Sequence, residues 1–110
     1  MTHSQQRLAQ CNAMIEQVLA ELNSITAEDL QSDDLVLNLQ SLINDRQQAV
    51  TNVITDPLVE DAAWLTSQIS LTEDYSQQLI KLKDHRQQLL YARKSNQRRV
   101  GVYQSIEANR

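Results

Sequence analysis

Residues 8–25 read LAQCNAMIEQVLAELNSI, and the spacing of their apolar residues decides the fold of this part of the chain. The apolar residues recur at alternating steps of three and four: Leu8, Cys11, Ile15, Val18, Leu22 and Ile25. This spacing places them on one narrow stripe of an α-helix, with glutamine and glutamate on the other faces. The stretch therefore predicts a first helix, over about residues 4–25, that buries one side against a neighbour.

Two further helical segments follow, on either side of the single proline. The second spans about residues 33–55, with the seam Val36, Leu39, Ile43, Arg46, Val50 and Val53. Asp56-Pro57 ends it, because the residue before a proline disfavours the helical conformation. The third spans about residues 58–99, with the seam Ala62, Leu65, Ile69, Thr72, Ser76, Leu79, Leu82, Arg86, Leu89 and Arg93.

Helix-start signals lie between and within these segments. Thr26 and Ser32 each precede acidic residues, which predicts N-caps and a turn over residues 26–33. Thr26 with Asp29 has the spacing of a capping box, and so does Ser70 with Glu73. The second pair predicts a kink near residue 70.

The composition favours a single helical domain over residues 1–110. Aromatic residues make up 4% of the 110 residues, with one glycine and one proline. Such a chain lacks the aromatic residues and turn residues of a β-sandwich, and it has no glycine-rich phosphate loop. One cysteine rules out a disulfide within the chain and suits the cytoplasm. The first ten residues show no signal-peptide pattern, and no apolar run is long enough to span a membrane.

The lengths of the segments leave part of the third helix without a partner. If the second and third helices pair antiparallel about Asp56-Pro57, the second ends where the third reaches Leu79. The remaining ~30 residues would project roughly 40 Å. That stretch is too apolar to stay bare in water, because it contains Leu82, Leu89, Leu90, Tyr91, Val100, Val102, Tyr103 and Ile106.

Two architectures satisfy this requirement. The first is an antiparallel three-helix bundle with a long third helix and a short C-terminal tail helix, over about residues 100–109. Its overhang either binds a partner or bends near Gly101 and covers its own groove. The alternative is a long two-helix antiparallel coiled-coil hairpin, in which the first helix continues the second and covers the end of the third. The N-cap signals between residues 26 and 34 favour the bundle.

Charge is divided unevenly along the chain. Residues 1–74 have 12 acidic and 2 basic residues, a net charge of −10, whereas residues 75–110 have 8 basic and 2 acidic residues, a net charge of +6. The basic tail over residues 91–110 contains Arg93, Lys94, Arg98 and Arg99. Its expected role is to pair with the acidic half or to steer an acidic partner. The overall pI of about 5.0 argues against a nucleic-acid partner.

The sequence offers no catalytic or metal-binding constellation. His3 lies at the N-terminus, His85 falls on a solvated helical turn, and Cys11 lies on the apolar seam. These residues do not supply the three or four ligands of a zinc site or a nucleophile–base pair. We therefore expect a protein that is not an enzyme and has no cofactor and no metal site.

Two arginines occupy apolar seams. For Arg46 and Arg86 the expected arrangement is a packed stem with the guanidinium group reaching water or a carboxylate. The alternative is a charge that sets the register of the helices or contacts a partner. Trp64, near the start of the third helix, is expected in the core.

The order of these patterns resembles a known family. An amphipathic helix leads through an acidic turn to L-x-x-L-I-x-x-R-x-x-x-V at residues 39–50, then to L-x-x-L-x-x-x-R-x-x-L-L at residues 79–90 and a basic stretch ending in Tyr103. In this it resembles the flagellar export chaperones of the FliT type, which escort the filament-cap protein. The resemblance covers most of the chain.

The resemblance implies a cytoplasmic type III export chaperone for flagellum biogenesis. It would bind the C-terminal region of the filament-cap protein, prevent premature assembly and deliver it to the export apparatus. A flagellar transcription regulator is a further partner of some members. The residues left uncovered would bind the partner helix: Leu82, Arg86, Leu89, Leu90 and Tyr91. A regulatory tail would control access: Arg93, Lys94, Arg98, Arg99, Val100, Tyr103 and Ile106.

The competing hypothesis is a structural or assembly module that homodimerises through its third helix. Both hypotheses predict exposed apolar seams. In the chaperone hypothesis a helix of another protein covers the exposed seam. In the structural hypothesis a second copy of the chain covers it.

Overall fold

The computed structural model contains three α-helices. It describes the backbone of residues 1–26 and 28–108 and the side chains of residues 1–26 and 28–94. The helices are α1 (His3–Ser24), α2 (Gln31–Thr55) and α3 (Ala62–Ala108), and the described residues include no β-strand. The prediction of an all-α protein with a long third helix is confirmed.

A capping box that was not predicted from the sequence starts α1. The Thr2 hydroxyl accepts a hydrogen bond from the Gln5 backbone N–H at 3.2 Å, and the Gln5 side chain accepts one from the Thr2 N–H at 2.9 Å. Together they satisfy donors that a helix N-terminus otherwise leaves open. The T-x-x-Q spacing of residues 2–5 is itself the signal for this cap.

The turn between α1 and α2 differs from the prediction, and the N-caps expected at Thr26 and Ser32 are wrong. Asp29 organises the turn: its carboxylate accepts from the Gln31 N–H at 2.9 Å and its carbonyl from the Ser32 N–H at 3.0 Å. Aspartate favours turns because its side chain can bond the backbone two residues ahead in this way. Ser32 therefore lies inside α2, where it is buried.

Two aspartates define the link between α2 and α3. Asp56 follows the last residue of α2, and its carboxylate accepts hydrogen bonds from the Ser4 hydroxyl at 2.6 Å and the Leu58 N–H at 2.9 Å. The Asp61 carboxylate accepts from the Trp64 N–H at 3.0 Å. This side-chain cap explains why α3 begins at Ala62 rather than at the predicted residue 58.

Helix α3 is continuous from Ala62 to Ala108. The described backbone has no helix start at Ser70, where the capping-box spacing predicted one with a kink, and no separate tail helix beyond Gly101. A capping box acts only where a helix begins, and Ser70 follows residues that are already helical. One glycine costs a helix interior only about 1 kcal/mol, which is too little to end it.

Helix α1 folds back on α2, and α3 runs antiparallel to α2. Ser4 at the start of α1 contacts Asp56 after α2, and Asn12 contacts Arg46. Arg46 and Arg86 in turn bond across the α2–α3 pair, to Gln68 and Ser32 respectively. The alternative of a long two-helix hairpin is therefore wrong. Helix α3 packs more closely against α2 than against α1.

The core divides into two clusters. The larger contains residues of all three helices: Ile15, Val18, Leu19, Leu22, Val36, Leu39, Leu42, Ile43 and Tyr75. The smaller lies near the α2–α3 link, where partly buried Trp64 packs against Leu8, Ala49 and Val53. The predicted seams of α1 and α2 enter these clusters, and Trp64 contributes to the core as expected.

The predicted seam of α3 is wrong at Ile69 and Ser76, whereas its members Leu65 and Thr72 face the bundle, Leu65 against the smaller cluster and Thr72 bonded to Arg46. Gln68 and Tyr75 are buried, whereas Ile69 is 55% exposed. At these two positions the buried residue is the one immediately before, Gln68 in place of Ile69 and Tyr75 in place of Ser76. The polar contacts of Gln68 and Tyr75, described below, decide which face of α3 packs against the other helices. The apolar Ile69 therefore remains on the surface.

Candidate partner-binding surface

A polar layer centred on Arg46 connects the three helices between the two core clusters. Arg46 is 2% exposed. Its guanidinium group donates to the side-chain oxygens of Asn12 and Thr72, each at 2.6 Å, and to the backbone carbonyl of Gln68 at 2.9 Å. It also lies 5.2 Å from the ring centroid of Tyr75, within the range of a cation–π interaction.

The location of Arg46 corrects one expectation. The sequence favoured a guanidinium group that reaches water or a carboxylate, but the group is buried and bonded to neutral oxygens. Burial lowers the pKa of Arg46 from its ordinary value. The alternative, a charge that aligns the helices, fits this geometry because its partners lie on α1 and α3.

Tyr75 extends the polar layer toward solvent. Its hydroxyl donates to the Glu16 carboxylate at 2.7 Å. Burial raises the pKa of Tyr75, and the hydrogen bond to Glu16 raises it further. The phenol therefore stays protonated at neutral pH and serves as a donor that fixes α3 against α1.

Arg86 fixes the other end of α3. It donates to the Ser32 hydroxyl at 2.6 Å and forms an ion pair with Asp33. Both partners lie in the first turn of α2. The expectation of a packed stem with the guanidinium group on a carboxylate is confirmed for Arg86. This residue therefore joins α3 to the first turn of α2.

An open groove lies between α2 and α3 beside this ion pair. Leu37 is 65% exposed on the α2 side, and Leu90 is 50% exposed on the α3 side. The remaining lining residues are Asp33, Val36, Gln40, Lys83, Arg86 and Gln87, and the groove encloses about 550 Å³. We call it the α2–α3 groove. The two exposed leucines, surrounded by polar residues, form a surface that can bind an apolar surface of a partner.

A smaller cavity adjoins the groove at the α1–α2 turn. Acidic residues from the turn and basic residues from α3 line it together with apolar ones: Glu28, Asp29, Leu30, Asp33, Arg86, Leu89, Leu90 and Arg93. The acidic half of the sequence therefore meets the basic half here. Because charges of both signs face this cavity, it favours no single sign of ligand charge.

The structure distributes the predicted partner-binding residues over three faces of α3. Leu82 packs against the larger core cluster, and Arg86 and Leu89 face the α1–α2 turn. Leu90 lies in the α2–α3 groove, whereas Tyr91 is 78% exposed and lines neither cavity. Only Leu90 combines substantial exposure with a place in the groove.

The regulatory tail falls partly outside the described side chains. Arg93 and Lys94 are exposed, and Arg93 lines the cavity at the α1–α2 turn. The side chains of Arg98, Arg99, Val100, Tyr103 and Ile106 lie outside the described residues, although the α3 backbone continues through these positions.

Several residues of these surfaces were not predicted from the sequence. Leu37 was overlooked because it lies one position after the seam residue Val36, and no neighbouring apolar residue marks its face. Asn12, Gln68 and Tyr75 were overlooked because polar residues do not register in an apolar pattern. The sequence signal that could have indicated these polar residues is Arg46 on an apolar seam. If its guanidinium group is buried, the facing helices have to supply acceptors for it.

Other kinds of site find little support among the described residues. His3 and His85 are exposed, and Cys11 is partly buried beside the smaller cluster. No group of three histidine, cysteine, aspartate or glutamate side chains in the described part of the chain is arranged to hold a metal ion. Within the same residues, no helix is apolar and long enough to cross a membrane.

Comparisons of the chain with protein-family models, with curated proteins and with solved structures gave no match.

Proposed function

We propose that this protein is a non-catalytic chaperone that binds an amphipathic helix of a partner protein in the α2–α3 groove. One observation carries the proposal: Leu37 and Leu90 are 65% and 50% exposed and line the same open groove. A helix-in-groove partner would cover both residues with its apolar face.

The position of the groove supports this mode of binding. It lies beside the Arg86–Asp33 ion pair, close to the α1–α2 turn, and the α3 backbone continues from there to Ala108. A partner helix could therefore contact the groove and the projecting part of α3 together. Exposed Arg93 and Lys94 begin that projection and would attract acidic residues flanking the partner helix.

The proposed partner follows from the resemblance to flagellar export chaperones of the FliT type. It is the C-terminal region of a filament-cap protein, which the chain would hold in the cytoplasm, keep from premature assembly and deliver to the flagellar export apparatus. The basic tail over residues 91–110 would regulate access to the groove. A flagellar transcription regulator is a further proposed partner on the same ground.

The experiment is titration calorimetry of the full chain with the C-terminal region of the filament-cap protein from the same organism. We expect one partner per chain, micromolar affinity or tighter, and a negative heat-capacity change from apolar burial. Leu37→Asp and Leu90→Asp should each weaken binding at least tenfold. Because both side chains are exposed, circular dichroism should show unchanged helicity.

Ile54→Asp is the matched control. Ile54 is 57% exposed on α2, at the end of the helix away from the groove, so this variant should bind like the unmodified chain. Absence of binding at about 100 μM, or an equal loss in Ile54→Asp, would overturn the proposal. A stable homodimer that ignores the cap protein would instead support the structural module that assembles through its third helix.

A further inference from the structure

The α2–α3 groove contains a positive charge that is not balanced by the residues around it. The charged residues that line the groove are Asp33 on α2 and Lys83 and Arg86 on α3. Asp33 and Arg86 form an ion pair with each other. Lys83 is exposed, and no carboxylate among the described side chains forms an ion pair with it. Within the described residues, the groove therefore has a net positive charge at Lys83.

A second lysine lies on the same side of α3, just beyond the groove. Lys94 is exposed and follows Lys83 by 11 residues. Because 11 residues complete almost three helical turns, the two positions lie nearly on one line along α3, about 16 Å apart. Gln87 and Leu90, which line the groove, lie on the same side of the helix between them. We call Lys83 and Lys94 the lysine pair.

The charge at the groove is opposite to that of most of the chain. The whole chain has a net charge of −4. Asp84 is next to Lys83 in the sequence, but it lies about 100° further round the helix and does not line the groove. Since salt screens charges more than about 8–10 Å away, a ligand in the groove responds mainly to the lysine pair.

A helix bound in the groove changes the environment of Lys83. A helix that covers Leu37 and Leu90 also removes water from the neighbouring Lys83 ammonium group, and a charge that loses water requires a compensating partner. A carboxylate on the bound helix compensates this loss, whereas a lysine at the same place adds repulsion. The groove therefore discriminates between partner helices by the charge that flanks their apolar face.

We propose, building on the helix-binding function proposed above, that the lysine pair selects an acidic amphipathic helix of another protein. The apolar side chains of this helix contact Leu37 and Leu90. One of its carboxylates lies beside Lys83, and a second lies beside Lys94, about three helical turns away. The partner is therefore recognised by two acidic residues that flank its apolar face about 11 residues apart.

Two synthetic amphipathic helices test this preference without the filament-cap protein. They have the same length and the same leucine face, and they differ only at the two flanking positions, which are glutamate in one peptide and lysine in the other. In titration calorimetry at low salt, the unmodified chain should bind the glutamate peptide at least about tenfold more tightly. Added salt should reduce this difference. Equal affinity for the two peptides, or no binding of either at about 100 μM, overturns the proposal.

Lys83→Glu is the decisive variant, and Lys81→Glu is its matched control. Both lysines are exposed on α3, and both changes alter the net charge equally. Lys81 lies about 160° round the helix from Lys83 and does not line the groove. Lys83→Glu should weaken binding of the glutamate peptide at least about fivefold and strengthen binding of the lysine peptide, whereas Lys81→Glu should change neither. Equal effects of the two variants would mean that net charge alone matters, and would overturn the proposal.

A neutral variant shows whether the peptides bind in the groove. Leu37→Ser removes an apolar contact without changing the charge, so it should weaken binding of both peptides by the same factor. Unchanged binding in Leu37→Ser would place the peptides elsewhere on the chain and overturn the proposal.

The same variants distinguish this proposal from the proposed filament-cap partner. If the cap region binds and Lys83→Glu and Lys81→Glu affect its affinity equally, the lysine pair does not select the partner and the chaperone function stands. If the chain prefers the glutamate peptide but does not bind the cap region, the preference of the groove stands and the proposed partner is wrong.

Discussion

The Arg46 guanidinium group is held by neutral partners rather than by a carboxylate. It donates to oxygens of Asn12, Gln68 and Thr72 and faces the ring of Tyr75. Removing a charge from water is costly, so each of these acceptors has to be present and correctly placed. Because Asn12 lies on α1 and the other three on α3, slippage of either helix along α2 would break the set.

A double-mutant cycle tests the coupling between Arg46 and Asn12. Asn12→Ala leaves a buried charged donor without its acceptor and should lower the free energy of unfolding by about 1–3 kcal/mol. In an Arg46→Met background, which retains much of the volume but removes the charge, the same change should cost much less. Urea unfolding measures both differences.

The control for this cycle is Asn38→Ala. Asn38 is exposed on α2, so its replacement should have nearly the same small effect in the unmodified chain and in the Arg46→Met background. Equal costs for Asn12→Ala in the two backgrounds would show that Arg46 does not depend on this contact. Arg46→Met alone should also lower the free energy of unfolding, because it leaves the oxygens of Asn12, Thr72 and Gln68 without their donor.

At the scale of the elements, the start of α1 and the end of α2 are tied together at Asp56. Its carboxylate accepts hydrogen bonds from the Ser4 hydroxyl and the Leu58 N–H. Both hydrogen bonds lower the pKa of Asp56 from its ordinary value of 3.8, and the bond from Ser4 has the larger effect. The ionised form is thus favoured by folding.

The pH dependence of stability follows from the direction of this shift. The contribution of Asp56 is fully present above its ordinary pKa and is lost as the pH falls through the lower pKa of the folded state. Between about pH 5 and pH 3 the urea midpoint of Asp56→Asn should therefore fall less than that of the unmodified chain. Asp45→Asn, an exposed change on α2, should retain the full acid dependence. Identical acid dependence in all three proteins would contradict the assignment.

At the scale of the whole molecule, the chain is a rod rather than a globule. Its extents are 78 × 18 × 17 Å, and its radius of gyration is 20.7 Å, compared with about 13 Å for a compact domain of this length. The difference comes from α3, whose 47 residues are about twice as many as those of α1 or α2.

Small-angle X-ray scattering of the chain tests this shape. We expect a radius of gyration close to the 20.7 Å of the structure. A value near about 13 Å would mean that the end of α3 bends back onto the bundle, as the sequence predicted for the tail.

The sequence predicted the elements better than their contacts. Leu8, Ile15, Val18 and Leu22 are buried as the opening pattern indicated, because a regular apolar spacing requires one buried helical face. Helix starts were harder to place, since the cap spacing at Ser70 also occurs inside a helix. For the candidate site, the sequence identified Leu90 but overlooked Leu37, which faces it across the groove.

The sequence by itself determined an all-α chain of three helical segments, with breaks near residues 26–33 and at Asp56-Pro57 and an over-long third segment. Apolar periodicity and the scarcity of glycine and proline are local properties, so they can be read without a structure. Only the tertiary structure decided that α1 folds back on α2 and that Arg46 is buried. It also showed which apolar residues of α3 remain exposed. These outcomes depend on contacts between polar groups that are far apart in the sequence, and a local sequence pattern does not contain that information.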